Sequence, residues 1–173
     1  SSPRSQSLML SREGDRSFEI AGILPFGSAH GFVSDRDIKG ADQLPGKTIA
    51  AFDYDKAQAQ LVRELGALPD PSDVNNFASK FNAKSVDIVI APLAAYQALE
   101  LYRGLGQKGG IIDYVLVQVS LQVIIDADRF PAGFGQQSRQ YMNQTLYPRA
   151  VSMLERYASF VDDKYWIKST PAN

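Results

Sequence analysis

The chain has 173 residues, no cysteine and a formal net charge of −1. Disulfides, thiolate catalysis and cysteine-ligated metals are therefore excluded, and without a basic excess nucleic-acid binding is disfavoured. The length suits one domain, with or without extensions. The 45% apolar share allows a core of moderate size, and no apolar run approaches the roughly 20 residues needed to cross a bilayer.

Residues 1–16 are polar and weakly patterned, and read as a flexible amino-terminal segment. The opening residues look like a cleaved terminus or the start of a fragment, and no targeting signal is read there. Residues 17–24 (SFEIAGIL) alternate as a strand does. Pro25, Gly27 and Gly31 then punctuate residues 25–32, which reads as a break before a short strand near Phe32 and Val33. Residues 37–46 read as turn and loop.

Residues 47–52 (KTIAAF) form a strong strand candidate. Asp55 suits a helix N-cap, and a helix follows over about 56–65, with Ala57, Leu61, Val62 and Leu65 as its apolar face and Gly66 as its stop. Pro69-Asp70-Pro71-Ser72 reads as a rigid connection. A short helix over 74–81 pairs Phe77 with Phe81 at i,i+4.

Residues 85–103 organise the rest. Val86, Ile88, Val89 and Ile90 make a short β-branched run, as in a strand buried on both faces. Pro92 suits a first helical position, and Leu93, Tyr96, Leu99 and Leu101 continue at helical spacing toward Gly104. In an open α/β sheet ligands bind beyond the carboxyl ends of strands, which is where Ala91 and Pro92 fall. Residues 109–126 are the longest β-favouring stretch, expected to bend or cross near 111–125. A loop over 129–135 leads to an amphipathic helical extension over 137–161, which Pro148 should kink or divide. The order of elements predicts an α/β fold, a mostly parallel sheet flanked by helices, with one lobe over 17–166 and a tail over 167–173.

Few residues offer chemistry. His30 is the single histidine, in a Gly-rich stretch, and a structural role outweighs a catalytic one. No nucleophile elbow, phosphate loop, dinucleotide fingerprint or metal motif is present, so neither catalysis nor a cofactor or metal is expected. Asp53-Tyr54-Asp55 ends a strand and opens a helix. Asp55 reads chiefly as a cap, whereas Asp53 and Tyr54 divide between solvated surface and ligand contact. Tyr96 points either to a cleft or into the core. Gln118 and Gln122 are polar positions in an apolar strand, suited to a cleft lining or a solvated edge. Arg139 suits an anion or a structural ion pair.

These segments together resemble a known family. Residues 44–50 (LPGKTIA) resemble the opening of the second lobe of bacterial periplasmic solute-binding proteins, and residues 86–92 (VDIVIAP) its strand-to-cleft segment. Residues 109–112, the long strand and the final helices are similar to the crossover and closing helices of the TRAP-type branch. Within it the likeness is greatest to AdeT-like solute-binding proteins, sometimes described as accessory components of multidrug efflux.

The resemblance implies a periplasmic-binding-protein-like lobe with most of the first lobe absent. It also implies a periplasmic location, a small-molecule ligand and an inner-membrane transporter or efflux component as partner. The ligand contacts it implies are Ala50, Phe52, Asp53, Tyr54, Ala91, Pro92, Tyr96 and Gln118. TRAP-type binders usually carry an arginine at the position of Ala50 and an asparagine at that of Ala91. Their replacement by alanine, with Asp53 nearby, points to a neutral or cationic ligand rather than a carboxylate. The alternative is a non-enzymatic interaction component of an efflux system without its own ligand. A homodimer through an exposed cleft wall or exchanged segments is a further expectation.

Overall fold

The computed structural model describes residues 9–13 and 16–168. Residues 1–8 of the predicted flexible segment and 169–173 of the predicted tail lie outside them. The chain divides into two compact units. One gathers the described residues up to Phe26 with Val119–Leu154; the other gathers Gly27–Gln118 and the described residues from Glu155 onward.

The second unit is an α/β sheet. Its strands are β2 (Arg16–Val33, of which the part from Gly27 belongs here), β3 (Thr48–Phe52), β4 (Leu68–Ser72), β5 (Ile88–Pro92), β6 (Gly110–Ile112) and β8 (Trp166–Ile167). They lie in the order β4-β3-β5-β2-β6-β8. β3 runs parallel to β4 and β5, and β6 runs parallel to β8, while β2 is antiparallel to β5 and β6. Five of these six strands thus share one direction, and β2 alone opposes them. The expected α/β class with a mostly parallel sheet and flanking helices is what the chain adopts.

The helices are α1 (Lys56–Glu64), α2 (Phe77–Asn82), α3 (Ala95–Ala98) and α4 (Tyr102–Leu105). Asp55 caps α1 as predicted, accepting from the Gln58 amide at 2.9 Å. Of the predicted apolar face of α1 only Val62 is buried; Leu61 and Leu65 remain exposed. Phe77 and Phe81 both enter the core, Phe81 completely. The main cluster joins Phe32, Phe81, Val89, Leu101, Leu105 and Ile111, and a second joins Val33, Ile49, Val62, Ile88 and Ile112.

Several local readings differ from the structure. Pro69-Asp70-Pro71-Ser72 is not a connection but part of the edge strand β4. Leu68 donates its N–H to Lys47 O at 2.8 Å, and in a strand alternate N–H groups face opposite ways, so both prolines turn their missing donors away from β3. Pro92 is not a first helical residue but the last of β5, paired with Ala29.

The helix expected to run on to Gly104 is broken into α3 and α4. Leu101 N donates to Tyr96 O and Glu100 N to Gln97 O, the two bonds of a Schellman cap, with Glu100 at φ 53° where glycine is usual. Leu101 is wholly buried, so the break places an apolar anchor in the core.

In the first unit, β1 (Met9–Glu13) pairs antiparallel with β2, so part of the segment read as weakly patterned and flexible is a strand. β2 itself does not stop at Pro25. It continues for 18 residues, and Gly27 takes φ 103° at the point where the chain passes from one unit to the other. The long β-favouring stretch is interrupted: β6 ends at Ile112, and β7 (Val117–Asp126) pairs with β2.

The carboxyl-terminal helical stretch is α5 (Phe134–Tyr141), a π-helical turn (Met142–Leu146) and α6 (Tyr147–Ser159). Pro148 lacks the N–H that would close on Gln144, and the widened turn directly upstream accommodates that loss without ending the helix.

Candidate functional site

The candidate site is built at the carboxyl ends of β3 and β5, within the second unit. A ring of hydrogen bonds fixes the turn after β3. Asp55 N donates to Phe52 O at 2.9 Å, Gln58 N to Asp55 Oδ1 at 2.9 Å, and Phe52 N to Gln58 Oε1 at 2.8 Å. Asp53 N donates across to Ser72 O at 3.0 Å. The backbone is thus satisfied internally, and the side chains of Asp53 and Tyr54 are left in solvent.

Tyr54 is 74% exposed, yet its ring stacks on Phe52 at 5.4 Å between centroids and 8° between planes. Phe52 in turn meets Phe77 edge-on at 5.8 Å. The outcome is a rigid aromatic plate, supported from the core, with the Asp53 carboxylate next to it in the chain. Stacked and edge-on ring pairs of this kind add about 0.5–1.5 kcal/mol beyond burial. Asp53 also lines a cavity of about 290 Å³ with Asp55, Lys56, Arg63 and Pro71.

The other predicted contacts divide. Ala50, Ala91 and Tyr96 are buried in one cluster with Phe77, and Phe52 packs against that cluster. Ala91 lies opposite His30, and Pro92 is half-buried opposite Ala29. Gln118 is exposed on β7, and no described side-chain hydrogen bond ties it to the rest. Phe77, which buttresses the plate, reads from the sequence only as the i,i+4 partner of Phe81 on a short helix, and that spacing gives no sign of Phe52.

Tyr96 lies between Tyr102 at 5.8 Å and Tyr165 at 6.3 Å. Burial chiefly, and then the neighbouring Tyr165, push its phenol above the ordinary tyrosine range. The unfolded chain therefore ionises Tyr96 at lower pH than the folded one. The corresponding stability is fully present below about pH 10 and is lost as pH rises through the raised folded value. Tyr96→Phe is expected to flatten the alkaline limb of a stability–pH curve measured by denaturant unfolding; identical slopes for the two proteins would refute it.

His30 is buried, its Nδ1–H donates to Ile112 O at 2.8 Å, and its ring meets Trp166 edge-on at 5.6 Å. It is a structural histidine, as the sequence favoured. In the first unit Arg139 donates to Glu19 Oε1 and Ile20 O, both at 2.7 Å, so the ion-pair reading of Arg139 holds. Gly135 lets that pair approach: a Cβ there would stand 2.3 Å from the Glu19 carboxyl carbon. Among the described residues no group of histidines and carboxylates could hold a metal ion, and no helix is long and apolar enough to cross a membrane.

Comparison with known proteins decides the family. The family described as solute-binding protein AdeT 1/2 matches residues 4–173. The chain belongs to that family. It is 43% identical over 150 residues to "Probable solute-binding protein AdeT1" of Acinetobacter baumannii, covering 87% of this chain and 49% of that protein. To "Probable solute-binding protein AdeT2" of the same organism it is 26% identical, covering 88% of this chain and 64% of that one.

This AdeT-family chain thus spans about half to two-thirds of the length of these curated relatives. Solved structures share its fold. A TRAP periplasmic solute-binding protein from Desulfovibrio salexigens with bound orotic acid gives a TM-score of 0.71 at 15% identity, over 89% of this chain and 50% of that one. One from Desulfovibrio desulfuricans with bound sn-glycerol-3-phosphate gives 0.71 at 14%, with the same coverages. The ectoine-binding protein TeaA of the TeaABC TRAP transporter gives 0.69 at 13%, over 89% and 52%.

Proposed function

We propose that this chain is a ligand-closing lobe of a periplasmic solute receptor, which binds a neutral or cationic small molecule and delivers it to a membrane transport system. The family and the shared fold support solute binding as such. The observation that carries the ligand class is the exposed Tyr54 ring stacked on Phe52, with the acidic Asp53 between them in the chain. An aromatic face with an adjacent anion attracts a cation or a polarised planar group. Ala50 and Ala91 offer no side-chain donor for a carboxylate, and Ala91 is closed off in the core. Pro92, half-buried, and Gln118, exposed, complete the proposed contacts, whereas Tyr96 is buried in the core. The role is binding without a catalytic step.

Calorimetry on the chain with panels of cationic, neutral and dicarboxylate solutes tests this reading. Tyr54→Ala is expected to weaken binding by about 2- to 10-fold, the loss of one stacking contact, and Asp53→Asn to weaken cationic ligands selectively. Tight binding of dicarboxylates alone, or affinities unmoved by both variants, would overturn it.

A specific observation supports a second reading, association between copies. Val117, Leu121, Val123 and Ile124 of β7 are exposed, and β2 is the only strand with which β7 pairs among the described residues. An apolar strand with an open edge and no charge from Val115 to Ile125 is prone to pair with another chain. Sedimentation velocity at several concentrations should then show a dimer that Leu121→Lys dissociates. A monomer at every concentration would remove this reading.

A further inference from the structure

A second site lies at the opposite end of the same sheet, where the amino ends of β3, β5 and β6 meet the end of β2. The residues just outside those strands, Ser34, Lys47, Asp87 and Lys108, line a cavity of about 460 Å³ together with Asp35 and Lys84. Its volume suits a small ligand. Ile38 and Leu105, both buried, give it an apolar floor.

The charges there are not balanced against one another. Asp87 Oδ2 accepts from Thr48 N at 2.9 Å, and Asp35 Oδ1 accepts from Asp37 N at 2.9 Å, so each carboxylate already serves the backbone. The Lys84 ammonium donates to Gly104 O. Lys47 and Lys108 have neither an ion pair nor a hydrogen-bond acceptor for their ammonium groups among the described residues. The amides of Gln107 and Lys108 likewise donate to no acceptor there, and neither does the Ser34 hydroxyl. A concave site with two uncommitted ammonium groups, a hydroxyl and two backbone donors has the chemistry of an oxyanion receptor.

We propose that this cavity binds a phosphate-type oxyanion, either a free phosphate ester or the headgroup of an anionic lipid, through Lys47 and Lys108 with Ser34 and the Gln107–Lys108 amides. The site is separate from the aromatic plate after β3 and stands whether or not that plate binds solute. Lys84, held by the Gly104 carbonyl, adds fixed positive charge at the rim.

The test is titration of the chain with inorganic phosphate at low ionic strength, followed by amide chemical shifts. Saturable shifts are expected at residues 34, 47 and 106–108. In Lys47→Gln/Lys108→Gln the affinity should fall about tenfold or more, the scale for losing charge-assisted hydrogen bonds. Lys39→Gln, an exposed lysine outside the cavity, serves as the control and should leave the affinity unchanged.

Co-sedimentation with phosphatidylglycerol vesicles separates the two sources. Vesicle binding that the double variant abolishes assigns a lipid headgroup, and phosphate binding without vesicle binding assigns a free ester. Absence of both, shifts that do not saturate, or equal affinity in the double variant and the parent would overturn the proposal. A thermal melt of each variant confirms that folding is intact, since both lysines lie at the surface or half-buried.

Discussion

Phe81→Ala is expected to destabilise the chain by about 3–5 kcal/mol, the range for truncating a buried phenylalanine to alanine. Phe81 is wholly buried and belongs to the cluster that also contains Phe32, Val89, Leu101 and Leu105. Those neighbours come from strands, from the turn between α3 and α4 and from α4 itself, so they have little freedom to collapse into the space left behind. A loss of that size is a large part of the stability of a domain of this kind. Chemical denaturation of the two proteins measures it directly. A loss below about 1 kcal/mol would mean that the core around α2 is looser than its burial implies.

Gly104→Ala is expected to cost about 1–3 kcal/mol for the opposite reason, overfilling. A Cβ at residue 104 would stand 2.2 Å from Cδ1 and 2.5 Å from Cε1 of Phe81. The ring is flanked by core residues and cannot retreat. Alanine is otherwise the better helix former, by about 1 kcal/mol. In a Phe81→Ala background the same substitution is therefore expected to be neutral or mildly stabilising. Such a sign change is a coupling between neighbours that a double-mutant cycle reads. Equal costs in both backgrounds would show that the clash with Phe81 is not what matters.

These two residues also show what can be read from the sequence. Phe77 and Phe81 at i,i+4 announce a helix with one buried face, and Asp55 announces the start of another, because both signals are local. The strands over 47–52 and 86–90 are legible from their β-branched runs, though not the extension of the second through Pro92.

Where sequence and structure part, tertiary pairing overrides local chemistry. Pro25 and Gly27 look like a break, yet β2 runs through them because its later residues pair with β5 and β6. Pro69 and Pro71 look like a loop, yet an edge strand tolerates them on its outward side. The helical spacing after Pro92 is real, but nothing in it announces a left-handed Glu100.

At the site, the positions at the ends of β3 and β5 are legible through family likeness. The stack of Tyr54 on Phe52 is not, because it depends on how the turn to α1 folds back. Phe77 joins that site from α2 through its contact with Phe52, a juxtaposition that no spacing in the sequence records.

The edge-on contact between His30 and Trp166 has a practical consequence. The chain has one histidine and one tryptophan, and they meet where β2, β6 and the final strand β8 come together. Indole emission therefore originates from one place, with one imidazole beside it, and free of overlap from other indoles. Detachment of residues 166–167 from β6 would part the two rings and change that signal, while events elsewhere would reach it only indirectly. The protein thus contains an intrinsic optical probe of how its last strand is seated, available without labelling.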